Sequence, residues 1–153
     1  MTKPSIKPTT TEDIPALQIV SSQTVFPGEM LPGMIAPALA GESKAIWLTC
    51  HLDESAVGFC YTEPEKLTEG TWNMLALAVR PDLQGKGFGT TMVAAVEHQL
   101  RSSNQRILIV DTSGTDDFAL TRKFYALNGY EEEARIRDFW APGDDKVTFR
   151  KAL

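Results

Sequence analysis

Apolar positions recur along the chain in two different rhythms, and the changes of rhythm mark its elements. Ile14, Leu17, Val20 and Ser21 fall at three- and four-residue intervals, the spacing of one helical face. Thr10 with Asp13 three residues later reads as the N-cap of that helix, and Pro15 is tolerable in a first turn. The pattern stops near Phe26-Pro27. From Pro27 to Gly41 the chain carries three prolines and three glycines, together with Met30 and Met34. One short helix fits there, and the segment suits either a mobile apolar lid over a small ligand or a plain surface connection.

Ala45 to His51 and Ala56 to Tyr61 alternate as a β-hairpin turning at Asp53 to Ala56. Thr71 to Val79 is a longer strand whose second half is apolar on both faces, as in a covered central strand. A helix follows from Thr90 to Ser102, with Met92, Val93, Val96 and Leu100 on one face. Arg106 to Asp111 is the next strand. A helix from Phe118 to Leu127 presents Leu120, Phe124 and Leu127, and Asn128-Gly129 stops it. Two last strands, Ala134 to Trp140 and Lys146 to Lys151, flank Ala-Pro-Gly-Asp-Asp. No repeat or linker interrupts the order, so residues 1–153 read as a single domain.

A chain of 153 residues is long enough to bury roughly two thirds of its unfolded surface. Its formal net charge of -5 argues against nucleic acid, which demands a basic face. The acid gathers at Asp116-Asp117, Glu131 to Glu133 and Asp144-Asp145, as solvated loops or as a field favouring amine-bearing substrates. No apolar run approaches the roughly 20 residues of a membrane span. The amino terminus lacks a secretory apolar core, so the expected location is cytoplasmic. Cys50 and Cys60 are too few for a disulfide scaffold, and hairpin pairing sets Cys50 nearer Phe59 than Cys60. With His51 and His98 as the only histidines, no metal-ligand spacing exists and no metal is expected.

The run Gln84-Gly85-Lys86-Gly87-Phe88-Gly89-Thr90 lies between the apolar strand and the helix. Three alternate glycines permit positive φ and a close approach of backbone to a bulky anion. Amides at a helix start are unsatisfied donors at the positive end of the dipole. The run therefore reads as a pyrophosphate cradle. A nucleotide-triphosphate loop would need Gly, four residues, then Gly-Lys-Ser/Thr, and Lys86 precedes Gly87 instead. The dinucleotide fingerprint fails too, since Arg80 to Gln84 intervene and Thr90 stands where a small residue belongs.

The wider stretch Leu77-Ala-Val-Arg-Pro-Asp-Leu-Gln-Gly-Lys-Gly-Phe-Gly-Thr90 resembles the GCN5-related N-acetyltransferase (GNAT) superfamily, through its Gln/Arg-x-x-Gly-x-Gly/Ala signature at Gln84, Gly87 and Gly89. Phe124-Tyr125-Ala-Leu-Asn-Gly-Tyr130 is similar to that family's second motif, a helix ending in Asn/Leu-Gly-aromatic. The order of elements agrees from Thr10 to Leu153. The resemblance implies an α/β (α+β) fold, with a mixed, mostly antiparallel sheet of six to seven strands and about four flanking helices. It implies that the sheet splays between its fourth and fifth strands, with acetyl-coenzyme A wedged into the gap as co-substrate.

Carried over residue by residue, the resemblance gives Leu77, Ala78 and Val79 the acetyl carbonyl and pantetheine. It gives the amides of Gly85, Lys86, Gly87, Phe88, Gly89 and Thr90 the diphosphate, beside Gln84. Tyr125 matches the tyrosine that protonates the departing sulfur, and Asn128 belongs to the same motif. Asp111 matches the general base of the ribosomal-protein alanine acetyltransferases, one methylene shorter than the usual glutamate; a cap on the Thr112-Ser113-Gly114 turn is the alternative. Glu63 and Glu65 are further acids reaching the same cleft. Phe118 stands where many relatives have an asparagine for the pantetheine arm, with Ser113, Thr115 or Asp117 as substitutes. Cys60, with no histidine near it in sequence, reads as a buried strand residue rather than an acyl carrier. Trp72 and Asn73 begin the strand on the acceptor side. Phe139 and Trp140 near the last hairpin read as core or as a cation-stacking surface.

The expected activity is N-acetylation of a primary amine, on a small molecule, amino acid or protein, by direct attack. A noncatalytic acetyl-coenzyme A-binding sensor keeps the loop without needing Tyr125, and a purely structural domain needs neither. Dimerisation is common among look-alikes.

Overall fold

The apolar runs assemble into one seven-stranded sheet with helices on both faces. In the computed structural model, which describes residues 3–153, the strands are β1 (Ser5–Pro8), β2 (Ile46–Leu52), β3 (Ser55–Pro64), β4 (Thr71–Val79), β5 (Ile107–Ser113), β6 (Glu131–Ala141) and β7 (Asp144–Ala152). The helices are α1 (Ile14–Thr24), α2 (Leu31–Leu39), α3 (Phe88–Ser102) and α4 (Ala119–Leu127). Met1 and Thr2, at the amino-terminal end of the single-domain reading, lie outside the described residues. The strand order is β1-β2-β3-β4-β5-β7-β6. Only β4 and β5 run parallel.

That parallel pair is where the sheet opens. It matches only Thr71, Trp72 and Asn73 with Ile107, Leu108 and Ile109. Beyond Asn73 the two strands part, although β4 continues to Val79 and β5 to Ser113. A bulge begins the divergence. Tyr61 of β3 faces Ala76 while Thr62 faces Met74, so Leu75 is the extra residue on β4. A bulge bends its strand and increases the local twist. The expected splay between the fourth and fifth strands is this opening.

Two cores hold the layers. Met92, Val93, Val96 and Leu100 of α3 pack with Trp72, Met74, Leu108, Val110 and Phe149 on one face of the sheet. Leu17 and Val20 of α1 and Leu31 and Ile35 of α2 pack with Trp47 and Phe59 on the other. Each of those four helix side chains is at most 2% exposed, a burial worth about 1.5–3 kcal/mol apiece. Thr10 and Asp13 form the capping box ahead of α1, as their spacing implies.

Several expectations need correction. The segment from Pro27 to Gly41 is no mobile lid, because Leu31 and Ile35 anchor α2 in the second core. Helix α3 starts at Phe88, two residues before Thr90, since left-handed Gly87 (φ +90°) serves as its N-cap. Cys50 pairs with Gly58 and not Phe59, because the register shifts between Cys50 and His51; both cysteines are free. Leu120 and Leu127 of α4 are 81% and 76% exposed, and the buried residue there is Tyr125. Trp72 belongs to the core, its indole donating to Gln105 Oε1 at 2.8 Å. Phe139 and Trp140 are about half exposed rather than core. Strand β1 carries too little apolar alternation to be read from its sequence. No helix among the described residues is long and apolar enough to cross a membrane.

Candidate functional site

The opening of the sheet is a cleft with two lobes. The first, about 570 Å³, runs between the glycine loop and α4. The second, about 530 Å³, runs between β4 and the ends of α1, β5 and β7. They meet at Leu77, Val79, Gln84, Thr121 and Tyr125.

Local chemistry shapes the first lobe. Pro81 starts a short 3-10 turn after Arg80 (Pro81–Leu83), and Leu83 is buried beneath it. Gln84 is extended and donates its side-chain amide to Val79 O at 3.0 Å, tying the loop to the end of β4. Gly85 and Gly87 then adopt φ of +74° and +90°, conformations that L residues with a Cβ avoid. Nothing lies within 4 Å of a Cβ built on either, so their surface toward solvent is open backbone. The helical ladder begins with Thr91 N donating to Gly87 O. The amides of Phe88, Gly89 and Thr90 therefore precede the first helical bond and are free donors at the positive end of α3. Gly85, Gly87, Gly89 and Thr90 all line the lobe. Such a wall fits a multiply charged anion.

Tyr125 is the junction. It is 5% exposed, lines both lobes, and is wedged against Phe124, Tyr130 and Phe149 at centroid distances of 5.2, 5.8 and 5.8 Å. Burial, then the nearby Cys60 thiol, pushes its phenol up from the ordinary tyrosine range. It stays a neutral O–H donor. The Cys60 thiol is itself pushed up to about 12 by burial, which makes it inert as a nucleophile.

The second lobe is the polar one. Asp111, at the end of β5, accepts from the Thr148 hydroxyl at 2.6 Å and from Asn73 Nδ2 at 3.3 Å. Lys146 Nζ stands 4.0 Å away. Its carboxylate therefore does not cap the 112–114 turn. That turn is closed instead by Ser113, whose hydroxyl donates to Asp144 Oδ1 at 2.6 Å and accepts from the Thr115 amide. Trp140 reaches the lobe by donating Nε1 to Thr112 O at 3.2 Å. Phe118 lines the lobe at the position of the missing asparagine.

The structure brings together most of the residues singled out in the sequence and sets others apart. Leu77, Val79, Gln84, Gly85, Gly87, Phe88, Gly89, Thr90 and Tyr125 surround the first lobe, and Ala78 and Asp111 line the second. Lys86 is exposed between two left-handed glycines and does not line the lobe. Asn128 is separate as well. Its side-chain amide turns back to Phe124 O at 2.8 Å and its carbonyl accepts from Lys151, so it closes α4 rather than facing the cleft. Glu63 accepts from Tyr61 at 2.5 Å, and Glu65 from Asn73 at 2.9 Å. Sequence reasoning did not name as site residues Leu120 and Thr121, which line the first lobe, or Phe26 and Asp144, which line the second. Of these, Asp144 carried a signal, as part of the acidic run that reads as a field favouring amine-bearing substrates or as solvated loop. Among the described residues no group of three or more His, Cys, Asp or Glu side chains is placed to hold a metal ion.

Comparison with known proteins gives the same architecture. The family described as acetyltransferase (GNAT) domain matches residues 43–132. A crystal structure of a protein assigned to the GNAT acetyltransferases from Desulfovibrio desulfuricans is 27% identical, covers 98% of this chain and 99% of its own, and superposes with a TM-score of 0.88. The ribosomal-protein-S18-alanine N-acetyltransferase of Escherichia coli, at 15% identity and TM-score 0.79, covers 99% and 94%. An aminoglycoside 6'-N-acetyltransferase complexed with coenzyme A, at 16% identity and TM-score 0.79, covers 97% and 96%. No curated protein matches the sequence.

Proposed function

The chain belongs to the GNAT acetyltransferase family, and from that premise we propose that it transfers an acetyl group from acetyl-coenzyme A to a primary amine by direct attack. One observation carries the reading: a buried, neutral tyrosine stands where an amide-lined anion lobe meets a carboxylate-bearing lobe, at the parted edge of β4. The thioester supplies an activated acyl group.

The protein supplies position and protons. The amides of Gly85, Gly87, Phe88, Gly89 and Thr90, which line the first lobe, hold the diphosphate, and Gln84 keeps that loop registered on Val79. Past Asn73 the edge of β4 has lost its β5 partner, so Leu77, Ala78 and Val79 are available to align the pantetheine and the acetyl carbonyl. A main-chain donor at that edge stabilises charge gathering on the carbonyl oxygen, an effect worth several kcal/mol when preorganised. The amine enters through the second lobe, drawn by Asp111. Both of that residue's oxygens already accept hydrogen bonds, so the proton the amine must lose leaves through water in the open lobe. As the new C–N bond forms and the C–S bond breaks, the Tyr125 hydroxyl gives its proton to the sulfur and regains one from solvent.

The experiment is a thiol-release assay with acetyl-coenzyme A and a panel of amines, run beside thermal unfolding with coenzyme A. Thiol release that depends on an amine, with a raised melting temperature, supports the reading. A raised melting temperature with no release from any amine would make the protein a coenzyme A-binding module. No shift and no release would remove both.

A further inference from the structure

We infer that the acceptor is a primary amine with an apolar body, an aromatic or aliphatic group joined to the nitrogen by a short linker. Val25, Leu75, Phe118 and Trp140 hold that body in the second lobe. This inference rests on the acetyltransferase reading for the place of the amine and goes beyond it by naming the acceptor class.

These four side chains come from separate segments: the C-cap of α1, strand β4, the turn before α4, and β6. Each lines the second lobe, and each is between 43% and 49% exposed. Exposed apolar residues scattered singly need no explanation, but a group gathered in one cleft marks a binding surface. Leu75 is the sharpest case. It is the only exposed residue of β4, a strand otherwise buried or half-buried, and it is the extra residue of the bulge opposite Tyr61 and Thr62. Bulges beside active sites re-aim side chains, and this one presents a leucine to the lobe. Trp140 is held in place, because Nε1 donates to Thr112 O at 3.2 Å and Phe139 stacks edge-on at 4.8 Å. Its one polar atom is thereby paired, so its free surface is hydrocarbon.

Much of the polar lining of the lobe is already paired within the protein. Thr24 donates to Val20 O at 2.7 Å, Gln84 to Val79 O at 3.0 Å, and Ser113 to Asp144 Oδ1 at 2.6 Å. Asp111 accepts from Thr148 and Asn73. A hydroxyl-rich acceptor would give up water there and recover few partners, and a polar group left unpaired is costly. An apolar body leaves water favourably. The only charged residues lining the lobe are Asp111 and Asp144, which suit one ammonium on approach and disfavour an acceptor bearing a carboxylate. Leu75 lies two residues from Leu77, which lines both lobes. At about 3.3 Å per residue the interval is roughly 7 Å, which a two-carbon linker and a ring span.

The test compares 2-phenylethylamine with 2-(2-aminoethoxy)ethanol, two primary amines on the same two-carbon linker, by thiol release and by thermal unfolding. The expected kcat/KM ratio favours the phenyl compound by about thirtyfold, carried mainly by KM. Leu75→Gln and Phe118→Gln each place a polar group on the exposed wall and should bring the ratio down severalfold. Leu39→Gln alters an exposed leucine of α2 that lines neither lobe, and should leave the ratio within about twofold. Equal efficiencies, a preference for the ether, or a ratio that neither lobe variant lowers more than Leu39→Gln does would overturn the inference while acetyl transfer stands. The same holds if neither compound releases thiol but another amine does. If no amine releases thiol, yet 2-phenylethylamine raises the melting temperature of the unaltered protein and not of the two lobe variants, the apolar subsite stands and the acetyltransferase reading falls. With neither release nor such a shift, both fall.

Discussion

Gly89 and Phe124 meet across the first lobe: a Cβ built on Gly89 would stand 3.2 Å from Phe124 Cζ. The three glycines of the loop therefore answer to different constraints. Gly85 and Gly87 are required by positive φ, whereas Gly89 is helical and is required by the packing of α3 against α4. Replacing Gly89 with aspartate adds that contact and a carboxylate beside the free amides of Phe88 to Thr90. The carboxylate would occupy those donors and repel a diphosphate, while favouring the helix start itself. The expected outcome is a coenzyme A Kd raised by a factor on the order of a hundred or more in a protein that still folds, measured by calorimetry and circular dichroism. Undiminished binding would remove the cradle.

Tyr125→Phe deletes one hydroxyl and leaves the ring contacts with Phe124, Tyr130 and Phe149 in place. Turnover should fall by about 10²-fold, at the low end of what a positioned proton donor contributes. Coenzyme A affinity should stay within about twofold. Because burial keeps this phenol protonated above the ordinary tyrosine range, the unaltered enzyme should show no loss of kcat from tyrosine ionisation near pH 10. A turnover number indifferent to the substitution would deny Tyr125 its proton role.

Legibility in the sequence followed the range of the interactions involved. Strand β4 and the glycine loop are fixed by local apolar runs and by φ, so Thr71–Val79 was bounded from its residues alone. The α1 cap was equally local. Helix α4 was misread on its buried face because it covers a cleft rather than a core. Leu120 and Leu127 look toward open space, and Tyr125, the polar-looking residue, is the one that packs. The meeting of Asn73, Glu65 and Asp111 depends on a parallel pairing across 38 residues of chain and a single bulge at Leu75. No local pattern encodes that. Asp144 reads in the sequence only as a solvated loop acid or as part of a field favouring amines, and not as the partner of Ser113, because the two lie 31 residues apart.

Lys151→Met tests the lock behind the site. Glu97 of α3 is 5% exposed and accepts from Lys151 Nζ at 3.0 Å and from the Tyr130 hydroxyl at 2.7 Å. The same ammonium bonds Asn128 O, closing α4. Methionine keeps the volume but leaves a buried carboxylate short of its counter-ion, with only Arg101 at 3.6 Å remaining. Breaking one side of a buried pair costs about 3–5 kcal/mol; with Lys151 partly exposed, about 2–3 kcal/mol is the expected loss in urea unfolding. A change below about 0.5 kcal/mol would make the contact incidental.

Alkaline instability follows from groups buried in neutral form. Burial pushes the Cys50 thiol up to about 11 and the Cys60 thiol up to about 12. The Tyr61 phenol is pushed up to about 12, by burial first and then by Glu63. In the unfolded chain thiols ionise near pH 8.5 and phenols near pH 10. Above those values the unfolded chain has released protons that the folded protein retains, so it binds fewer, and stability falls with rising pH. The contribution is intact below about pH 8 and is lost as pH climbs through the folded values. Each group steepens the slope by up to about 1.4 kcal/mol per pH unit within its window. Melting temperatures taken every half unit from neutrality to pH 10.5 should decline from near pH 8.5, the thiol window opening first. Cys60→Ala should flatten that first part of the decline even though the cavity it leaves lowers stability at neutral pH. The diagnostic is thus the slope and not the absolute temperature. A wild-type profile level to pH 10 would mean that neither thiol is held neutral by the fold, and a Cys60→Ala variant with an unaltered slope would mean that Cys60 is not.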